Sequence, residues 1–309
     1  MKKYCVRLST SALILTLGTA HATLLVYEPF NYGTAGADRA GSDLLDDQPD
    51  GGSGDVNATG LSGTWQEQDT VTSTSDLFVS SGSLGFGDLS TAGNHVRGDT
   101  NQNNDRFHRA ITANLASGSE LWFSVLANKL QNNFSAAEGG LVIGNQGVGN
   151  PRILLNDGTD GLQGFGIAPT TAGNTWTAYG WNGSTQLVGD AALTVPTNGS
   201  EVHLLVGHVS FDTGSGGTDE FTLYDYQLNA GSVTGGTLNP IASTLEVNVT
   251  QASLDTLSLT RQVNTAWDEI RIGTSLSDVL GSSVIPEPST AALVGAGLLA
   301  LGLRRRRSA

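Results

Sequence analysis

An alternating set of oxygen-bearing side chains lies in the stretch DTNQNNDR. Asp99, Asn101, Asn103 and Asp105 occupy every second position, so an extended backbone points all four in one direction. Calcium is bound in proteins by such carboxylate and amide oxygens, although this stretch lacks the glycine and the glutamate of an EF-hand loop. Two interpretations stay open, a calcium site at these four residues or a polar turn whose asparagines hydrogen-bond their own backbone.

The other carboxylates and histidines match no catalytic motif. Asp219-Glu220 and Asp268-Glu269 are adjacent pairs, and neighbouring residues of a strand point to opposite faces, so we expect neither pair to converge. His203 and His208 are five residues apart and would likewise face opposite sides. The sequence contains no nucleophile elbow, HExxH motif or phosphate-binding loop. We therefore predict no catalytic residue and a protein that is not an enzyme.

Tryptophans are the side chains best suited to stacking on sugar rings, provided that they are exposed. Trp176 and Trp181 are five residues apart and are expected on opposite faces of one strand. Burial in a sandwich core is the competing interpretation, which we favour for most of them. The five tryptophans are Trp65, Trp122, Trp176, Trp181 and Trp267.

Beta strands are the elements that must position these side chains. Stretches rich in β-branched, aromatic and leucine residues alternate with clusters of Gly, Asn, Asp and Ser, a pattern typical of strands joined by turns. In WDEIRIG, Ile270 and Ile272 share one face and Glu269 and Arg271 the other, which predicts a half-buried strand. The clearest strand candidates are residues 120–127, 201–211, 220–228, 254–260 and 267–273.

Composition supports an all-β class and excludes some partners. The 309 residues include 41 glycines and only 8 prolines, and 14% of them are charged, which suits many short strands better than a helical bundle. All 29 acidic residues lie between Glu28 and Glu287, where only eight basic residues remain, a net charge of −21. Such a surface repels phosphate backbones, so we do not expect nucleic acid as a partner.

The N-terminus predicts export. Three basic residues precede an apolar run at residues 8–17, and Ala20 and Ala22 supply the small side chains of a signal peptidase site. We assign residues 1–22 to a signal peptide. Its removal takes away Cys5, the one cysteine of the chain, so disulfides do not stabilise the exported protein.

The C-terminus combines three features in a fixed order. A Pro-Glu-Pro sequence is followed by an apolar run at residues 291–303 and then by four arginines. The run gives about 20 Å of helix, which is shorter than the hydrocarbon core of a bilayer unless residues 284–290 extend it. The arginines favour an orientation in which the C-terminal end of the chain stays on the cytoplasmic side. The sequence thus predicts a short transmembrane helix. The residues concerned are Pro286, Glu287, Pro288, Arg304, Arg305, Arg306 and Arg307.

This tail, at residues 281–309, closely resembles the PEP-CTERM sorting signal of Gram-negative bacteria. The resemblance implies recognition by an exosortase, a membrane-embedded processing enzyme, after transient anchoring in the inner membrane. It also implies a final location at the cell surface or in the extracellular matrix, where proteins so marked are associated with exopolysaccharide and biofilm. Whether the helix is cleaved or retained stays open.

The body, at residues 23–280, resembles laminin-G-like, concanavalin-A-like jelly rolls of PEP-CTERM proteins. The resemblance is carried by LLVYEPFNY after the signal peptide, GTW at residues 63–65, the hairpin HVSFDTGSGGTDEFTLYDY and the closing WDEIRIGTSLSDV. It implies a β-sandwich in which the first and last strands can pair. The acidic, glycine-rich residues 36–60 are interpreted as a long surface loop.

Together these features predict an exported, non-catalytic structural or glycan-interacting protein of the envelope or matrix. Two alternatives stay open. One is a calcium-assisted, lectin-like carbohydrate-binding module, which needs an exposed aromatic ring beside carboxylates. The other is a glycan hydrolase or lyase, which needs two convergent carboxylates; the E-x-D-x-x-E run typical of hydrolases of this fold is missing from the sequence.

Overall fold

The computed structural model describes residues 23–32, 58–67, 77–98, 106–129, 140–144, 162–169, 175–183, 185–194, 201–214, 216–260 and 265–281. Four predicted features lie outside the described residues: the signal peptide, the acidic loop up to residue 57, the four calcium ligand candidates Asp99, Asn101, Asn103 and Asp105, and the sorting tail beyond residue 281. These four features stay predictions.

The described part of the chain is almost entirely strand, which confirms the all-β class. It contains one short helix, α1 (Leu276–Val279), and one 3₁₀ turn (Gln251–Ser253). The strands are β1 (Leu24–Glu28), β2 (Leu61–Glu67), β3 (Leu77–Ser80), β4 (His95–Gly98), β5 (Arg106–Ile111), β6 (Glu120–Lys129), β7 (Gly140–Gly144), β8 (Leu162–Pro169), β9 (Thr175–Gly183), β10 (Thr185–Val188), β11 (Leu193–Thr194), β12 (Val202–Ser210), β13 (Asp219–Asn229), β14 (Ser232–Pro240), β15 (Leu245–Val247), β16 (Thr256–Thr260) and β17 (Thr265–Gly273).

Two antiparallel sheets form a sandwich. Sheet A has the order β14-β13-β12-β6-β17-β4-β3, with β1 also on β17 and β15 on β13. Sheet B has the order β10-β9-β8-β7-β16-β5-β2, with β11 on β9. The first strand pairs with the last, and the long hairpin pairs β12 with β13, as the jelly-roll resemblance implies.

Alternation along the strands places the core between the sheets. Phe123 and Phe221 from sheet A meet Phe165 from sheet B, with ring centroids 5.5 to 5.9 Å apart. Gly207 makes room for them, because a Cβ atom there would lie 2.0 Å from the Phe123 ring. The centre of the core is therefore aromatic and closely packed.

A buried polar network joins the two sheets where the opening sequence motifs lie. Arg109 of sheet B donates from Nη1 to Glu28 of sheet A at 2.5 Å, and both side chains are 1% exposed or less. Tyr32 donates to Glu28 at 3.0 Å, and the Trp65 indole donates to the Tyr32 hydroxyl at 2.8 Å. The conspicuous residues of LLVYEPFNY and GTW thus stabilise the interior.

The outer face of sheet A is covered over its central part by the segment at residues 81–94 and by α1. Leu84 and Leu89 of that segment, with Val279 and Leu280, form a second apolar cluster on this face. Every residue of β17 is therefore buried. The prediction of a half-buried strand was wrong here, although Ile270 and Ile272 do share the core face, because a covering loop is not visible in a strand's own pattern.

Candidate functional site

The accessible part of the outer face of sheet A carries the candidate site. Outward-facing residues of β6, β12 and β13 lie side by side there in two cross-strand rows: Trp122 pairs with His208 and His208 with Thr222, while Glu120 pairs with Ser210 and Ser210 with Glu220. None of these side chains is fully buried. We call this surface the Trp122 platform, formed by Glu120, Trp122, His208, Ser210, Glu220 and Thr222.

A stacked ring pair lies at the centre of the platform. The Trp122 and His208 rings are 4.0 Å apart between centroids and 18° from parallel. Glu120 contacts both rings, with one carboxylate oxygen 3.4 Å from Trp122 Nε1 and 3.4 Å from His208 Nε2. Ser210 Oγ lies 3.4 Å from the same imidazole nitrogen. Trp122 is thus held in one orientation by its neighbours while part of its surface stays accessible.

Carboxylates and hydroxyls surround the ring pair. Glu220 accepts a hydrogen bond from Thr213 at 3.4 Å, and Glu246 lies directly opposite Glu220 across the β13–β15 pairing. Burial lowers the pKa of His208, against the raising effect of Glu120, so the imidazole is neutral at pH 7. The platform therefore presents an aromatic surface, hydrogen-bonding groups and net negative charge.

Among the platform residues, the sequence prediction named Trp122, His208 and Glu220, and it grouped none of them with another. The signal for the grouping is the register of β6 against the β12–β13 hairpin. The sequence indicates the hairpin, but the order of the strands does not reveal that β6 lies beside it. The alternation in ELW and HVS does place Glu120 with Trp122, and His208 with Ser210, on the outer side.

A second group of carboxylates lies under the segment at residues 81–94. The strand irregularity between Asp268 and Arg271 and the positive φ of 52° at Glu269 bring both acidic side chains to this segment. Asp268 accepts from Ser83 Oγ at 2.8 Å and from the Leu84 amide at 2.7 Å, and Glu269 accepts from the Ala92 amide at 2.6 Å. The expectation that this adjacent pair points to opposite faces was wrong, because a β-bulge breaks the alternation.

Burial is the main cause of the pKa shifts among the acidic side chains under this segment. It raises the pKa of Asp268 to about 8 and raises the pKa of Glu269, although Arg271 opposes the second shift. Burial and the Glu269 carboxylate raise the pKa of Tyr27 to about 12. Both carboxylates are fully buried and hydrogen-bonded to the covering segment, so they attach that segment to β17. The other adjacent pair behaves as expected, since Asp219 points inward to the Asp212 and Val249 amides.

Four of the five tryptophans are buried, as expected. Trp65, Trp176 and Trp267 lie in the core between the sheets, and Trp181 is buried on the outer face of sheet B. Trp176 and Trp181 do lie on opposite faces of β9, since Trp176 faces the core and Trp181 does not. Trp122 alone remains partly accessible and is the one tryptophan of the described chain that a ligand reaches at the surface.

The histidines are separated. His203 faces inward, 3.1 Å from Asp225 and edge-on to Trp176, whereas His208 faces outward, as predicted. His95 and His108 lie on the outer faces of different sheets and do not meet. Within the described residues, no group of three His, Cys, Asp or Glu side chains is arranged to hold a metal ion.

No helix among the described residues is long and apolar enough to cross a membrane. This finding does not bear on residues 282–309, for which the transmembrane prediction stands as stated.

Several solved structures match the chain at low sequence identity and with TM-scores below 0.5. The globular domain of T. cruzi calreticulin is 15% identical, with 79% of this chain and 95% of that chain covered and a TM-score of 0.45. Domain 4 of an extracellular arabinanase from Geobacillus stearothermophilus, in complex with arabinotriose, is 12% identical over 84% and 97%, with a TM-score of 0.41. An endo-β-1,4-glucuronan lyase from the fungus Trichoderma reesei is 10% identical over 70% and 92%, with a TM-score of 0.40.

No curated protein matches the sequence. The tail does match a family model, and the matched residues contain the Pro-Glu-Pro sequence, the apolar run and the arginine cluster. Behind the β-sandwich, this chain therefore carries a PEP-CTERM protein-sorting motif at residues 284–307.

Proposed function

We propose that the protein is a non-catalytic, glycan-binding component of the cell surface or extracellular matrix, which binds polysaccharide through the Trp122 platform. The observation that carries the proposal is the partly accessible Trp122 ring, stacked on His208 beside the Glu120 carboxylate. The lectin-like alternative required an exposed aromatic ring beside carboxylates; Trp122 lies beside carboxylates but is only partly accessible, because it also packs against the outer apolar cluster.

The chemistry of the platform fits a sugar ring. The face of an indole packs against the C–H groups of a saccharide, and its rigid side chain loses little entropy on binding. Carboxylates and hydroxyls accept hydrogen bonds from sugar hydroxyls and fix the orientation of the ring. The negative charge of Glu120, Glu220 and Glu246 repels uronate chains, so we propose a neutral glycan as the ligand.

The sorting motif supports the proposed location at the cell surface or in the extracellular matrix. It directs the chain to export and to an exosortase-type enzyme at the membrane. An acidic body without cysteine suits a protein of the extracellular matrix. We propose that the bound glycan is part of an exopolysaccharide, and hence that the protein acts in a biofilm.

Substitution of Trp122 tests the platform. We expect Trp122→Ala to weaken binding of soluble neutral oligosaccharides by at least about tenfold, the effect of losing an aromatic anchor, while the fold is retained. Isothermal titration would give the affinity and circular dichroism the fold.

Val188→Ala is the matched control, because Val188 is a large apolar residue that is 47% exposed on the other sheet. Equal affinity of wild type, Trp122→Ala and Val188→Ala for every oligosaccharide would overturn the platform as the binding site.

A further inference from the structure

Tyr224 is a second partly accessible aromatic residue on the outer face of sheet A, next to the Trp122 platform. It follows Thr222 by two positions in β13 and therefore points to the same side of the sheet. It pairs with Val206 of β12, just as Thr222 pairs with His208. The register thus places one aromatic ring at each end of a diagonal across β6, β12 and β13.

The two rings are far enough apart to contact different units of a saccharide chain. Tyr224 lies two strands from Trp122, about 9.6 Å at the usual strand spacing, and two residues further along, about 6.8 Å. Together these steps give a diagonal of about 12 Å between the two Cα positions. A single saccharide ring does not span this distance, whereas an oligosaccharide of three or more units does.

Packing against the same residues holds both rings in place. Trp122 and Tyr224 each contact the outer apolar cluster, whose member Val206 lies fully buried in the strand between them. Each ring covers part of its surface in this cluster and leaves another part accessible. Rings that are already ordered lose little entropy when a ligand binds. The pair is therefore suited to stacking on two saccharide rings at a fixed spacing.

The polar groups around the diagonal are divided by charge. Thr222 and Thr244 form an exposed hydroxyl pair, with their oxygens 2.8 Å apart. His208 lies between the strands of the two rings, and burial lowers its pKa, so its ring is neutral. Carboxylates occupy the next row, on the side away from Tyr224; they are Glu120, Glu220 and Glu246. Among these residues, the path between the rings is therefore uncharged and has carboxylates along one edge.

We propose that Tyr224 is a second stacking position, so that the protein binds an extended stretch of neutral polysaccharide, three or more units long, laid diagonally from Trp122 to Tyr224. The inference rests on the proposed function and specifies its ligand, because it distinguishes an extended chain from a single saccharide. Hydroxyl groups along one edge of the chain donate to the carboxylates, and the Thr222–Thr244 pair binds hydroxyl groups of the unit nearest to Tyr224.

The dependence of affinity on chain length tests this inference. The probes are soluble oligomers of glucose, mannose and galactose with one to six units, titrated into the protein in a calorimeter. For wild type, we expect the affinity for the sugar that binds to rise by at least about tenfold between one and four units and then to stay constant. Tyr224→Ala should remove this rise and leave the affinity for the single saccharide unchanged. Trp122→Ala should lower the affinity at every length.

Tyr224→Phe and Leu228→Ala are the matched controls. Phenylalanine keeps the ring, so the rise in affinity with chain length should persist. Leu228 lies four positions further along the same face of β13, away from Trp122, and also packs against the outer apolar cluster. Its truncation therefore loosens the same cluster away from the diagonal, and the rise should again persist. Circular dichroism shows whether each variant is folded.

The outcomes separate this inference from the proposed function. If Trp122→Ala weakens binding but wild type and Tyr224→Ala depend on chain length in the same way, the second stacking position is overturned and the platform stands. Loss of the rise in Leu228→Ala as well as in Tyr224→Ala also overturns it, because the effect then comes from the cluster. Binding that Trp122→Ala leaves unchanged at every length, or no binding of any probe, overturns the platform and this inference with it.

Discussion

At the scale of single residues, the structure changes the protonation of Asp268 strongly. Its carboxylate is fully buried, yet it accepts hydrogen bonds from Ser83 and from the Leu84 and Glu269 amides. The Arg271 guanidinium is bonded to Glu269. Desolvation therefore outweighs the hydrogen bonds, and the pKa of Asp268 rises to about 8.

Asp268→Asn should flatten the pH dependence of stability between pH 5 and 8. With the folded-state pKa at about 8 and an ordinary value of 3.8, the folded protein holds a proton across this window that the unfolded chain has lost. Wild type therefore loses stability as the pH rises, by up to about 1.4 kcal/mol per pH unit, and the loss ends above pH 8. Asparagine has no proton to release.

Urea unfolding at pH 5, 6.5 and 8 measures this effect. Asp88→Asn is the control, because Asp88 is exposed and its pKa is lowered by the Val233 amide, so it titrates below this window. Parallel slopes for wild type and Asp268→Asn would contradict the prediction.

At the scale of elements, packing between β6 and β12 sets both faces of sheet A. The continuous register of the two strands directs Phe123 inward to the aromatic core and Trp122 outward to the platform. Gly207 lies directly opposite Phe123 in that register, where its missing side chain leaves space for the ring.

Gly207→Ala should destabilise the fold by about 1 to 3 kcal/mol, the usual effect of overpacking a core. The added Cβ would approach the Phe123 ring to 2.0 Å. Phe123→Leu in the same chain should restore part of the loss, because a smaller side chain leaves room for the methyl group.

A double-mutant cycle by urea unfolding measures this coupling. Strictly additive effects of Gly207→Ala and Phe123→Leu would show that the steric conflict is relieved elsewhere. Gly85→Ala is the control, since a Cβ atom there meets no other atom within 4 Å.

At the scale of the whole molecule, a charged body and a sorting tail are joined in one chain. The first and last strands, β1 and β17, pair in sheet A. The tail follows β17 in the chain, so it begins beside the folded sandwich. Removal of the tail after residue 281 leaves all seventeen described strands intact. The sandwich is thus compatible with processing at the Pro-Glu-Pro sequence.

Protein recovered from native cells should therefore end near Pro286 in the shed matrix. Mass spectrometry of the membrane and matrix fractions measures the C-terminus directly. Full-length chain through Ala309 in both fractions would contradict processing and would make the tail a retained membrane anchor.

The sequence by itself determined the all-β class, the positions of β6, β12, β13, β16 and β17 and the sorting motif, because strand alternation and the order of Pro-Glu-Pro, apolar run and arginines are local properties. It also placed most tryptophans in the core. The motifs LLVYEPFNY and GTW were correctly associated with the fold, but their role in a buried network joining the sheets depends on Arg109, which lies far along the chain.

Only the tertiary structure decided which polar groups meet. The Trp122 platform arises from the register between β6 and β12, whose paired residues Trp122 and His208 are 86 positions apart (208 − 122), and alternation within one strand carries no information about its neighbour. The β-bulge at Glu269 reversed one local expectation, since a single residue of positive φ redirects a side chain. The segment at residues 81–94 reversed another, because burial depends on what covers a strand as well as on its own sequence.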